Sequence, residues 1–325
     1  MASPGPGPAD TPAPQASHGS QAPGEPYVSI ILPAYNGAAY LAESLQSCLD
    51  QTFRDFELIV VDDASTDATG AIVAAFAASD PRVRCVRHET NRGLPAALNT
   101  GFAASRGAYL TWTSDDNRYL PTALEAMARA LDAEPAIAYV YADIELIDEG
   151  GAAIGTEAAM EPLELLTGHE GTGIACFLYR RAVYERIGDY AEDLFLAEDY
   201  DYWLRVLAAG LAMRHLRATL YQYRRHARSL TDARRGRTFL AAERALLRRL
   251  PQMPWLGRSL QGQAYLYLAS LAAWRGDARA ALGYTLRALP YAPAHTAAKL
   301  GAFVRRHAAT ASPIRTAGPT SQQGV

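Results

Sequence analysis

The strongest constraint on this chain is a fourfold alternation between short apolar runs and amphipathic stretches. YVSIILP (27–33) and FELIVVDDAS (56–65) are apolar and β-branched, as strands buried on both faces are, and RVRCVRH (82–88) and GAYLTWTS (107–114) read as the third and fourth strands. After them come NGAAYLAESLQSCLDQ, TDATGAIVAAFAAS, GLPAALNTGFAAS and YLPTALEAMARALDA. In these, Leu41, Leu45 and Cys48, or Leu94, Leu98 and Phe102, fall on one helical face. Ser65 or Thr66 is expected to cap the second helix. Strands alternating with helices predict an α/β domain with a mostly parallel, Rossmann-like sheet and helices on both faces.

Ligands of such sheets lie beyond the carboxyl ends of the strands. Two of those ends carry acid pairs, Asp62–Asp63 and Asp115–Asp116. Neighbouring carboxylates repel, and a divalent cation relieves them. Mg²⁺ and Mn²⁺ accept one or two protein carboxylates while substrate phosphates complete the shell. The second pair also suits the N-terminus of the helix expected from Tyr119, and Asp67 the first turn of its own helix. FLAEDYDYWLRVLAAG (195–210) puts Glu198, Asp199 and Asp201 at a helix start, with Trp203, Leu204 and Leu207 facing inward. Acids there either serve the dipole or supply a proton acceptor. No GxGxxG follows the first strand and no GxxxxGK[ST] occurs, which removes the main support for dinucleotide and P-loop readings.

The remaining chain sets boundaries. Residues 1–25 and 311–325 are Pro-, Ala-, Gly- and Ser-rich without a periodic apolar face and read as disordered tails. Residues 26–232 carry a net charge of −13, and residues 233–310, with 12 Arg and one Lys against two acids, carry +11. The basic part reads as helical, with a hairpin over 262–293 turning at 276–277. Its arginines face solvent, an anionic acceptor, a membrane surface or the chain's own acidic domain. With no nucleic-acid motif and a mildly acidic whole, nucleic acid is not an expected partner. Cys48, Cys85 and Cys176 lie far apart in apolar segments and read as reduced core thiols. No apolar run approaches a membrane span and no signal peptide is apparent, so a cytoplasmic protein, at most peripheral to the inner membrane face, is expected.

Three stretches resemble the family 2 glycosyltransferases of GT-A fold. VSIILPAYNGAAYLAESLQSCLDQTFRDFELIVVDDASTDAT is similar to the family's opening. NRGLPAALNTGFAASRGAYLTWTSDDNRYLP is similar to its middle, and GTGIACFLYRRAVYERIGDYAEDLFLAEDYDYWLRV to its acceptor and base region. The resemblance implies that Pro33, Ala34 and Tyr35 line a nucleotide pocket, that Asp62 or Asp63 binds uracil or ribose, and that Arg92 lies nearby. It implies that Asp115 holds ribose or diphosphate, that Asp116 ligates Mn²⁺ or Mg²⁺, and that Asp199, with Glu198 as the alternative, is the catalytic base. Many relatives read DxDD where this chain has Thr113 first; a subset keeps only the DD-Asn seen at 115–117. YQYRRHARSLT (221–231) is similar to the family's YRxHxxS stretch, which brings Arg224 toward the diphosphate and His226 toward the metal. Gly171–Thr172–Gly173 form a plain turn or let a sugar approach the backbone.

The implied activity is inverting transfer of a hexose from a nucleoside diphosphate, with UDP favoured, to a glycan or other hydroxyl acceptor in polysaccharide biosynthesis. The alternative is an inactive relative that binds nucleotide sugar or a partner. A nucleotidyltransferase ranks third, because no Gly-rich triphosphate loop is present.

Overall fold

A computed structural model describes residues 25–167, 174–229, 235–291 and 293. The expected terminal tails, apart from Glu25, and the Gly171–Gly173 turn lie outside the described residues.

The first half is built as the sequence alternation requires. β1 (Val28–Ala34) and β2 (Phe56–Asp62) are buried at every position, so both faces need apolar side chains. α1 (Leu41–Leu49), α2 (Thr69–Ser79) and α3 (Leu94–Ala104) make the crossovers to β2, β3 (Val83–Arg87) and β4 (Tyr109–Trp112). β2 and β3 stack to one side of β1, and the chain then crosses back to put β4 on the other side. That reversal is a topological switch point, and it opens a crevice at the carboxyl ends of β1 and β4.

Beyond β4 the sheet becomes mixed, in the order β3-β2-β1-β4-β8-β6-β9-β5, with β7 also on β6. β6 (Tyr139–Ile147) and β9 (Met213–Arg224) run with β1. β5 (Arg118–Tyr119), β7 (Ala153–Glu157) and β8 (Cys176–Arg180) run against it. Six of the nine strands therefore share one direction.

Three local expectations are corrected. The helix expected from Tyr119 starts at Ala123 as α4 (Ala123–Ala133), and Arg118–Tyr119 instead pair with β9 as β5. Pro121 disfavours helical backbone at Leu120, which separates Asp115 and Asp116 from the helix and its dipole. Neither Ser65 nor Thr66 caps α2; Ser65 Oγ accepts the Asn36 N–H at 3.0 Å. All three cysteines are free, but Cys85 is exposed because β3 is an edge strand with alternating burial.

α5 (Arg181–Ile187) leads to α6 (Glu198–Ala208), which feeds β9. Met213 pairs with Tyr139, Tyr139 with Tyr179 and Tyr179 with Leu110, so β9 starts on the amino edge. α6 must run back against the strands, which aims its acidic N-terminus toward their carboxyl ends. Arg205, in its last turn, donates to Ile187 O and Asp189 O. Tyr200 Oη donates to Leu165 O at 2.6 Å. Trp203 Nε1 donates to Tyr139 Oη at 3.2 Å above a stacked layer of Tyr139, Tyr179, Tyr190 and Tyr202.

By compactness the chain divides between Pro254 and Trp255. α7 (Arg235–Arg249), C-terminal to the sequence boundary at 232/233, packs on α6 within the first unit. In the second, α8 (Arg258–Trp274) and α9 (Ala278–Ala288) pack on each other through a turn at Gly276, φ 87°, where left-handed backbone favours glycine. Asp277 accepts the Ala280 N–H at 2.8 Å and caps α9.

Candidate active site

At the switch point, the turn after β4 meets the loop after β1. Asp115 accepts the Tyr35 backbone N–H and lies against Gly37, where an added Cβ would sit 2.7 Å from Asp115 Cγ. Burial, then the Asp116 charge, pushes the Asp115 carboxyl up to about 7. Asp116 Oδ1 accepts from Ser114 Oγ at 2.6 Å, and its Oδ2 lies 2.9 Å from His226 Nε2. The His226 ring rests on Tyr40, centroids 5.1 Å apart, and its Nδ1 is buried with no partner among the described residues. Asp116 and His226, both expected as metal ligands, are thus in contact across 110 residues.

Arg224 occupies a different environment from the one expected. It is 1% exposed, and its guanidinium donates to Asp116 O, Asp148 O, Glu149 O and Glu43 Oε2 while lying 4.5 Å over the Tyr40 ring. In this arrangement it ties the acidic turn to the turn between β6 and β7 and to α1. Thr113, the first position of the acidic motif, is also turned inward: its hydroxyl meets Tyr221 Oη at 2.7 Å. The side chain there points into the core, so its being Thr removes no carboxylate from the crevice.

The β2 end is organised by its two acids in different ways. Asp62, fully buried, accepts the Ser65 N–H and is paired with Arg87. Asp63 accepts the N–H groups of Arg92 (2.9 Å) and Gly93 (2.8 Å) and meets His88 Nδ1 at 2.6 Å. His88 Nε2 in turn meets Thr100 Oγ1 at 2.9 Å. Asp63 therefore holds the NRG turn through its backbone, while the Arg92 residue is exposed. Pro33 and Ala34 are buried inside β1, and Tyr35 stands half exposed above it.

At the start of α6, Glu198 Oε2 accepts the Leu196 N–H at 2.7 Å and Asp199 Oδ1 the Tyr200 N–H at 2.6 Å. Burial raises both carboxyls, and for Glu198 the neighbouring Asp199 charge adds to it. Asp201 differs: it is fully buried and gripped by Arg249 of α7. Contacts among the described residues join the β1, β2 and β4 loops; Glu198 and Asp199 approach them through the direction of α6.

The non-glycine residues with positive φ among those described are Asn36 (52°), Ala64 (63°) and Leu196 (78°). They lie in the loops after β1 and β2 and in the segment that leads into α6. Such backbone costs of order 1–3 kcal/mol per residue and persists where surrounding contacts over-determine it. Gly37, Tyr40, Glu43 and His88 escaped the sequence reading. His88, a polar residue ending an apolar strand, was the one with a visible signal.

Among the described residues no group of three or more His, Cys, Asp and Glu side chains is assembled as a metal cluster. Asp115, Asp116 and His226 nevertheless fit a divalent cation. Asp115 and Asp116 form a partly exposed carboxylate pair with no arginine partner among the described residues, and two oxygens with one imidazole suit Mn²⁺ better than Mg²⁺.

Residues 29–188 match the family model described as Glycosyl transferase family 2. An uncharacterized protein of Sinorhizobium fredii is 31% identical over 235 residues, 68% of this chain and 25% of the relative. The uncharacterized glycosyltransferase EpsJ of Bacillus subtilis is 33% identical over 224 residues, 64% of this chain and 63% of its own. The chain thus spans between about a quarter and three-fifths of these relatives' lengths. Among solved structures, the Pyrobaculum calidifontis mannosyltransferase in complex with GDP-Man and Mn²⁺ gives a TM-score of 0.59 at 21% identity, covering 87% of this chain and 81% of that one. S. aureus TarS 1–349 in complex with UDP-GlcNAc gives 0.57 at 17%, covering 81% and 90%. At such identities the likeness shows the fold, GT-A-like as expected.

Proposed function

This chain belongs to glycosyl transferase family 2, and from that premise we propose that it transfers a sugar from a nucleoside diphosphate donor to a hydroxyl acceptor with inversion. The observation that carries the reading is the partly exposed Asp115–Asp116 pair at the switch point between β1 and β4, braced by the Tyr35 N–H and by His226. A carboxylate pair without an arginine counter-charge, in a crevice where α/β sheets bind ligands, is a seat for a cation and its diphosphate.

Asp116 and His226 would hold Mn²⁺ or Mg²⁺, which when bound offsets the charge of the leaving diphosphate. The loops after β1 and β2 receive the nucleoside: Tyr35 offers an exposed ring, and Asp63 fixes the turn that carries Arg92. Asp199, kept protonatable near neutrality by burial, accepts the proton of the incoming hydroxyl. One base, Asp199, with no carboxylate assigned as a nucleophile, supports in-line displacement and inversion. The presence of GDP-Man in one structural neighbour and UDP-GlcNAc in another supports a nucleotide-sugar donor, with UDP preferred here. A hexose and a glycan-type acceptor complete the proposal.

Titration calorimetry of UDP with and without Mn²⁺ tests the site. Binding at least tenfold tighter with the metal, and lost in Asp116→Asn, is expected; equal binding in both conditions refutes it. Donor hydrolysis abolished in Asp199→Asn with UDP affinity intact tests the base.

A further inference from the structure

The basic helix α7 lies beyond the residues that match the family model, yet it reaches the acids at the start of α6. Arg249 Nε donates to Asp201 Oδ1 at 2.7 Å and its Nη2 to Oδ2 at 3.1 Å, a two-pronged grip on a fully buried carboxylate. Arg205 Nε lies 3.1 Å from Asp201 Oδ2, but it is not aligned for a hydrogen bond, and its terminal nitrogens serve Ile187 O and Asp189 O. The preceding residue of α7, Arg248, pairs with Asp193, just before the loop that leads into α6. The two arginines therefore pin residues 193 and 201, on either side of Leu196, Glu198 and Asp199.

We propose that Arg249, seconded by Arg248, is a positioning residue that makes α7 part of the catalytic apparatus by fixing the segment bearing Asp199. This rests on the reading of Asp199 as the base. The segment needs such a hold. Leu196 sits at φ 78°, and the hydrogen bonds that Asp199 accepts come from its own N–H and that of Tyr200, both on the same turn. A base must be held within about half an ångström of its productive geometry, and the local bonds, Leu196 N–H to Glu198 and Asp201 N–H to Ala197 O, fix the turn without tying it to the rest of the fold. The buried pair does so from a helix 48 residues away in sequence. Arg248–Asp193 is largely exposed and contributes less.

The test compares the full chain with Arg249→Met, Arg249→Lys, Asp201→Asn/Arg249→Met and Asp199→Asn. The probes are UDP-glucose, UDP-N-acetylglucosamine and GDP-mannose with Mn²⁺, each followed by nucleotide release, together with amide hydrogen exchange. In Arg249→Met, kcat is expected to fall at least tenfold with the donor KM within twofold. Exchange across 194–201 quickens at least tenfold while that of 34–38 and 62–66 stays unchanged. Arg249→Lys recovers part of kcat, whereas the double variant, which leaves no buried carboxylate without its arginine, does not. Wild-type kcat and exchange in Arg249→Met, or in the double variant should the single one not fold, overturn the proposal. So does a loss confined to KM. If Asp199→Asn releases nucleotide as fast as wild type, the base reading fails with it. If Asp199→Asn is inactive but Arg249→Met is not, the anchor alone fails.

Discussion

Gly37→Ala is a small change with a worked consequence. Gly37 has an ordinary negative φ, so alanine is not strained by the backbone; the obstacle is Asp115. The new methyl would stand 2.7 Å from Asp115 Cγ and 3.2 Å from its Cβ, well inside the closest approach of carbon atoms, and nearer still to Oδ2. The carboxylate must swing away by about 1 Å, which breaks its bond from the Tyr35 N–H. A hydrogen bond to a charged group is worth about 1.5–3 kcal/mol, or roughly tenfold to a hundredfold in affinity for a ligand that needs Asp115 in place. Overpacking adds a stability cost of about 1–3 kcal/mol.

Calorimetry of UDP with Mn²⁺ reads the first effect and urea unfolding of the ligand-free protein the second. In an Asp115→Ala background only the 3.2 Å contact with Cβ remains, so Gly37→Ala is expected to cost less stability there than in the wild-type background. A Gly37→Ala protein with wild-type stability and wild-type UDP–Mn²⁺ affinity would refute the packing of Asp115 on Gly37 as the basis of the site.

Three further outcomes follow from contacts already described. Arg224→Met is expected to destabilise the ligand-free protein by about 3–5 kcal/mol in urea melts, because three backbone carbonyls and Glu43 lose a buried partner; a selective loss of UDP binding at full stability would contradict the clamp. Thr113→Asp buries an unpaired charge against Tyr221 and is expected to cost about 3–5 kcal/mol without tightening Mn²⁺ binding, checked by melting and metal titration. For pH, burial raises the folded Asp199 carboxyl, so the base is protonated at low pH and activity appears only as pH climbs above the usual carboxylate range. Glu198 is raised as well and holds its proton longer, so Glu198→Gln is expected to leave that acidic limb in place; a downward move of a full pH unit in the pH–rate profile counts against this order of ionisation.

Much of this protein was legible from local pattern. Burial on both faces makes β1 and β2 mostly apolar, so the acid pairs that follow their apolar runs and that of β4, Asp62–Asp63 and Asp115–Asp116, mark the sheet's carboxyl rim in the sequence itself. The helix expected at Tyr119 was misplaced because β5 exists only through pairing with β9, about a hundred residues away, which no local periodicity records.

What the sequence by itself determined is therefore the sheet, its helices and the edge on which charge collects, since each follows from the solvation of neighbouring side chains. Which of those charges stay available was decided only by tertiary structure. Asp62 is neutralised by Arg87 from 25 residues away, Asp201 by Arg249 from 48, and Arg224 is absorbed by Glu43 from 181, while Asp115, Asp116 and Asp199 receive no arginine among the described residues. A carboxylate's chemistry depends on the cation or donor a few ångströms away, and in a folded chain that neighbour is set by topology.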